Sequence, residues 1–111
     1  MATVNVERQV LLDQVIPRKT VGKVHIAEVR LGPGVKAGYH RHPCPVFGAI
    51  LSGQCLFQVE GESARLLNPG EAFYEPAGTP IVSFDNASTD MPLTFMACYL
   101  IDDEKALLEA L

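Results

Sequence analysis

The chain has little of what would tie it to a membrane, a nucleic acid or a disulfide framework. It holds three cysteines in 111 residues, an odd number with no CxxC spacing. No disulfide scaffold is expected from that count, and a reducing cytoplasm is the expected compartment. Basic residues are in deficit: 9 Lys and Arg against 13 Asp and Glu leave a net charge of −4. Such a chain has no electrostatic reason to bind nucleic acid or an anionic membrane surface. Apolar runs such as residues 46–51 are short, whereas a membrane-spanning helix needs roughly 20 apolar residues. Glu7 and Arg8 precede any apolar run, so the N-terminus is not expected to be a signal peptide. Repeats, low-complexity tracts and a second domain are also missing, and the length suits a single domain.

What is present is a globular composition, 48% hydrophobic and 20% charged, enough for a packed core. One stretch stands out. Gly34, Gly38, Pro43 and Pro45 flank His40 and His42, two of the three histidines. On a strand, residues two apart point to one face. The pair therefore aims two imidazoles into one space, and imidazole is the commonest protein ligand of divalent transition metals. The plain alternative is two surface histidines beside a loop. His25 lies in a separate strand pattern and is expected to be structural or exposed.

Turn signals punctuate the rest of the chain. Residues 9–16 suggest a strand or an extended arm ending at Pro17. Strand patterns follow at 24–31, 38–42, 46–51, 55–60, 64–67, 71–75, 80–84 and 93–101. Gly, Pro and Asn separate them. Ser52-Gly53 suggests a two-residue hairpin loop that would set Ile50 against Cys55. Asp102 and Asp103 are placed to cap a short helix containing Leu107 and Leu108. Many short strands with one terminal helix make an all-β sandwich or barrel.

These residues resemble a known family, the small single-domain cupins. Gly34, His40, His42 and Gly53 fall at the spacing of the family's first motif, and Gly70, Pro76 and Gly78 at that of its second. The resemblance implies a double-stranded β-helix, or jelly-roll barrel, over about residues 22–101. An N-terminal arm (1–21) and a short C-terminal helix (102–110) complete one domain spanning 1–111. It also implies a divalent metal (iron, manganese, nickel or zinc) held by three histidines and a glutamate. Here the glutamate position falls on Val46 and the third histidine position on Ile81. The asparagine position falls on Asp85, with Asn86 one residue late.

Two imidazoles make a weak site, since protein metal sites usually use three or four protein ligands. Cys44 continues the phase of His40 and His42 and is a candidate third ligand, although Pro43 and Pro45 break the strand. Asp85, Glu75 and Tyr39 are further candidates, with Glu75, just before Pro76, expected to alternate outward. Val46 and Ile81, with Ile50, Phe57 and Val59, would line a dry cavity with two polar handles. Such a cavity suits a small, mostly apolar ligand with one anionic or hydrogen-bonding group. The competing expectation is an interior packed shut.

Three functions remain open. The first is a binding module for a small molecule, with a weak or degenerate metal site at His40 and His42. The second is a metal-dependent dioxygenase or isomerase with those histidines as ligands. The third is metal-free acid–base catalysis by a histidine. The apolar stretch Val10 to Ile16 could pair with a neighbouring subunit's sheet edge, and the resemblance implies a homodimer.

Overall fold

Side-chain alternation builds the molecule. The computed structural model describes residues 5–111; residues 1–4, the start of the predicted arm, lie outside the described residues. Nine strands follow in order: β1 Lys23–Leu31, β2 His40–Arg41, β3 Val46–Ser52, β4 Cys55–Val59, β5 Arg65–Leu67, β6 Ala72–Glu75, β7 Ile81–Asn86, β8 Leu93–Ile101 and β9 Glu109–Ala110. They form two antiparallel sheets, ordered β1-β8-β3-β6 and β5-β4-β7-β2-β9. The all-β expectation is met. β8 shows the period-2 logic best: Leu93, Phe95, Ala97, Tyr99 and Ile101 are buried, and the residues between them are half-buried.

The core lies between the sheets. Phe57, Phe73, Phe84 and Phe95 interlock there, with ring centroids 4.5–5.9 Å apart. Tilted and edge-on packing suits the ring quadrupoles. Gly48, in the middle of β3, lies close against the backbone of β8. A Cβ there would overlap the Met96 carbonyl oxygen and approach Phe73 Cζ to 2.9 Å.

Two sequence expectations need correction, and a third is decided between its two alternatives. Ser52-Gly53 does not close a hairpin that pairs Ile50 with Cys55, because β3 and β4 belong to opposite sheets. Gly53 has φ +82°, and a Cβ on it would stand 2.5 Å from the Pro92 carbonyl oxygen. The chain turns hard against the start of β8 and crosses to the other sheet. Residues 9–16 take the extended-arm form, with no strand. They lie along the outer face of β3, β6 and β8, beside Phe47, Tyr74 and Leu100. Lys19 then hydrogen-bonds the Leu100 carbonyl at 2.6 Å.

The second correction concerns residues 102–110, which form no helix. A helix that short is marginal in water without a face to bury. Here its backbone groups find better partners in the barrel. The Leu107 carbonyl accepts from His42, Leu111 N–H donates to the Tyr39 carbonyl at 2.9 Å, and β9 pairs with β2. Asp102 caps no helix; its N–H donates to Glu104, which also accepts from Lys19, and Lys19 holds the Glu104 carboxyl down at about 2.

A β-bulge explains why Asn86 comes one residue late. Gln58 pairs with Ser83 while Val59 pairs with Ile81, so Val82 is extra on β7. Ile81, Phe84 and Asn86 thus share the inward face. Buried Asn86 donates to the carbonyls of Leu31, Gly32 and Met91 at 2.8–3.2 Å and accepts from Ser88 N–H at 2.9 Å. It ties the end of β1 to the loop before β8. Asn86→Ala orphans these groups and is expected to cost about 2–4 kcal/mol in urea unfolding. A loss within error of zero would show that water replaces the side chain.

Candidate metal centre

The site forms where β2, β6 and the C-terminal segment meet. Gly38 takes φ +85° and turns the chain into β2. His40 then pairs with Ile81 on one side and Ala110 on the other. His42 follows β2, its carbonyl accepting from Gly78 N–H at 2.8 Å. Glu75 ends β6, directly opposite Val46 of β3. Residues opposite each other across a ladder point to the same face. The carboxylate therefore enters the barrel from the strand beside the position where the resemblance placed it.

The three side chains converge. His42 Nε2 is 2.8 Å from Glu75 Oε2, and His40 Nε2 is 3.4 Å from the same oxygen. One ligand atom from each lies within 4.8 Å of the others. They are 6%, 4% and 3% exposed for His40, His42 and Glu75. The other ring nitrogens settle the tautomers. His40 Nδ1 lies 2.8 Å from the Gly38 carbonyl and His42 Nδ1 2.7 Å from the Leu107 carbonyl. A carbonyl only accepts, so both Nδ1 atoms carry hydrogen. Each Nε2 of a neutral ring thus turns a lone pair toward a carboxylate that is itself an acceptor. A cation must sit among them, either a proton or a metal ion.

The electrostatics agree. The Glu75 hydrogen bond raises His40 above its ordinary 6.5, against the opposing effect of burial. Burial pushes Glu75 upward, but its hydrogen bonds and charge interactions with His40 and His42 together hold it below its ordinary 4.5. The donor set fits a divalent transition metal: two imidazole nitrogens, one carboxylate and anchored Nδ1–H groups.

Beside the triad lies a cavity of about 210 Å³. Its polar wall is His40, His42, Glu75 and Tyr99; its apolar wall includes Val29, Leu31, Val46, Phe84, Phe95 and Leu108. Of the expected lining residues, only Val46 borders it. Ile50, Phe57, Val59 and Ile81 are buried in the core, Phe57 among the interlocked phenylalanine rings. Cys44 is buried at 0% exposure, outside the ligand group, and burial raises its thiol pKa. Tyr39 is exposed and hydrogen-bonds Glu60 at 2.9 Å. Half-buried Asp85 pairs through its backbone with Leu56 of β4 and forms an isolated antiparallel β-bridge with Lys36. His25 sits half-buried at β1, edge-on to the Tyr99 ring at 5.5 Å.

Glu75 is the residue that sequence reasoning turned the wrong way. Its signal was Phe73, two residues earlier on β6: an inward phenylalanine carries the inward phase to position 75. Tyr99 had the same signal from the buried positions of β8. Leu108, in a segment expected to be helical, had none.

Comparison with known proteins agrees with this architecture. Residues 27–99 match the family described as Cupin domain. The chain is 35% identical over 52 residues to dimethylsulfoniopropionate lyase DddQ of Ruegeria pomeroyi, covering 47% of this chain and 26% of the lyase. The crystal structure of that lyase superposes with a TM-score of 0.67 at 26% identity, over 78% of this chain and 42% of the other. Oxalate decarboxylase from Bacillus subtilis superposes with a TM-score of 0.68 at 17% identity, over 79% of this chain and 24% of that one, a likeness of fold alone. The chain thus spans about a quarter of the length of the curated relative and under half of the solved lyase chain. With nine strands in two antiparallel sheets and the family match running from β1 into β8, the chain belongs to the cupin family.

Proposed function

We propose that the protein binds one divalent transition metal through His40, His42 and Glu75, and a small molecule in the adjoining cavity. One observation carries this reading. Both Nδ1–H groups are held by carbonyls, so two Nε2 lone pairs and a carboxylate oxygen converge in a buried space. Glu75 supplies the third ligand that Val46 and Ile81 do not, so the site is stronger than two histidines alone would make it. Iron, manganese, nickel and zinc all accept this donor set.

The test is elemental analysis of untagged protein purified without chelator, beside the double variant His40→Ala/His42→Ala. Near one metal per chain in the parent, lost in the variant, is expected. A parent that stays empty after incubation with iron, manganese, nickel and zinc would refute the metal reading. Metal affinity should also fall on acidification. Only neutral imidazole ligates, and Glu75 keeps His40 protonated to a higher pH than an ordinary histidine. Binding is thus expected to weaken as pH drops through that raised value, followed by calorimetry.

A second reading, a metal-dependent enzyme, is favoured by the ligand count. Two histidines and one carboxylate leave coordination positions open for substrate or oxygen. Dioxygenase, isomerase and lyase chemistry are its candidates, the last from the relative named above. Bound metal would polarise an oxygen of the substrate; the protein orients the histidines through Gly38 and Leu107 and surrounds the reacting group with apolar wall. Among the described residues no helix is long and apolar enough to cross a membrane. A cytoplasmic location remains a proposal supported by three free cysteines. A homodimer is supported by the exposed apolar arm, Val10, Leu11 and Val15 among it.

A further inference from the structure

The wall of the cavity carries one formal charge of its own, on Glu75, and no lysine or arginine lines it. Arg41, next to both ligating histidines in sequence, is committed elsewhere: it pairs with Glu109 at 3.0 Å on the surface. Lys19 is likewise held by Glu104 and the Leu100 carbonyl. A divalent ion there, with two neutral imidazoles and one carboxylate, leaves one net positive charge in an otherwise apolar enclosure. Burying an uncompensated charge is costly, and an incoming anion offsets it. One negative charge brings the enclosure to neutrality. A second would be as uncompensated as the first positive charge was. A neutral ligand would compensate nothing.

We infer that the cavity selects a small monoanion, a monocarboxylate with a short apolar tail, and excludes dicarboxylates. This rests on the metal reading above. The volume, about 210 Å³, is below the ~300–1,000 Å³ of pockets for drug-sized ligands, so the tail is a few carbons long. Val29, Leu31, Phe84 and Phe95 give that tail apolar contact. Tyr99 is the only wall residue outside the triad with a hydrogen-bonding side chain. Its phenol O–H is a donor in that wall and serves the carboxylate. A carboxylate carrying an onium tail would set a cation against the aromatic rings but leave the enclosure positive.

The experiment uses the full chain loaded with Co2+, whose visible spectrum reports coordination, titrated with butyrate, succinate, butyramide and 3-(trimethylammonio)propanoate. Butyrate is expected to shift the spectrum and to bind at least about tenfold more tightly than each of the other three. Tyr99→Phe should weaken butyrate several-fold while Co2+ affinity, read separately by competition with a chelator, stays at the parent value. If Co2+ binds but succinate matches butyrate, the charge argument is overturned and the metal reading stands. Tighter binding of the onium compound would reassign the class to zwitterions. Failure to bind Co2+ at all would overturn the metal reading and this inference with it.

Discussion

Glu75→Gln is expected to lower affinity for zinc or iron by at least about 100-fold and to leave the chain folded. The variant removes the only charge among the three ligands, and losing a direct ligand costs more than the ~10–100-fold typical of losing a supporting partner. It keeps the shape. The glutamine amide can donate to the His42 Nε2 lone pair, so the buried ring stays satisfied. Metal binding and folding are thereby separated. The variant also tests the proton that stands in for the metal. In the metal-free parent, His40 is raised and Glu75 lowered. The His40 contribution is full below its ordinary 6.5 and disappears as pH rises through its raised folded value. The Glu75 contribution is full above its ordinary 4.5 and disappears as pH falls through its lowered folded value. Both are present together between 4.5 and 6.5. Metal-free parent should therefore be more resistant to urea at about pH 5.5 than at about pH 8, and Glu75→Gln should lose that difference. Parent-like metal affinity in Glu75→Gln would remove Glu75 from the ligand set.

Gly48→Ala has the larger expected effect on stability. Gly48 pairs with Phe73 of β6 and Ala97 of β8, at the centre of its sheet. A methyl group there would overlap the Met96 carbonyl oxygen, stand 2.8 Å from the Met96 carbonyl carbon and meet Phe73 Cζ at 2.9 Å. The backbone cannot retreat without breaking a ladder on one side or the other, and Phe73 is held by three other phenylalanine rings. A loss of more than about 4 kcal/mol is expected, in the range reserved for overpacked cores. Gly22→Ala is the control, since its Cβ would find only Asp102 Oδ1, at 3.7 Å. Chemical denaturation of both variants settles the matter: equal midpoints would mean that β3 can shift to make room.

Much of the barrel was legible because short-range patterns specify it. Gly34, Gly53, Gly70 and Gly78 mark turns, and the alternation in 93–101 gives β8 its inward face. His40 and His42 were legible by phase. Partnerships between distant segments were not. The register that sets Glu75 opposite Val46 joins residues far apart in the chain, and no local signal announces it. The Ser52-Gly53 turn suits a hairpin and a crossing between sheets equally well, and only the strand partners, far away in the chain, tell them apart. Residues 102–110 have the local chemistry of a short helix, which yields to the acceptors and donors that β2 offers. Asn86 was displaced from its expected position by one bulge residue, which alternation cannot reveal before the strands are paired.

His42 has two attachments, and they point to opposite parts of the molecule. Its Nε2 faces Glu75, while its Nδ1 holds the carbonyl of Leu107. A cation drawn to Nε2 withdraws electrons from the ring and makes Nδ1–H the stronger donor. The tie to Leu107 therefore tightens when the centre is filled, and by linkage the centre binds more tightly when the tie is made. Beyond Leu107 the chain is held by Leu108 against the cavity, the short β9 pairing, the exposed pair Arg41–Glu109 and the Leu111–Tyr39 bond. A lightly fastened, exposed C-terminal segment is thus wired to a buried charge. With a metal in the centre, whatever pulled residues 107–111 away from the barrel would act as a remote chelator, and the filled centre would shield that segment from being pulled.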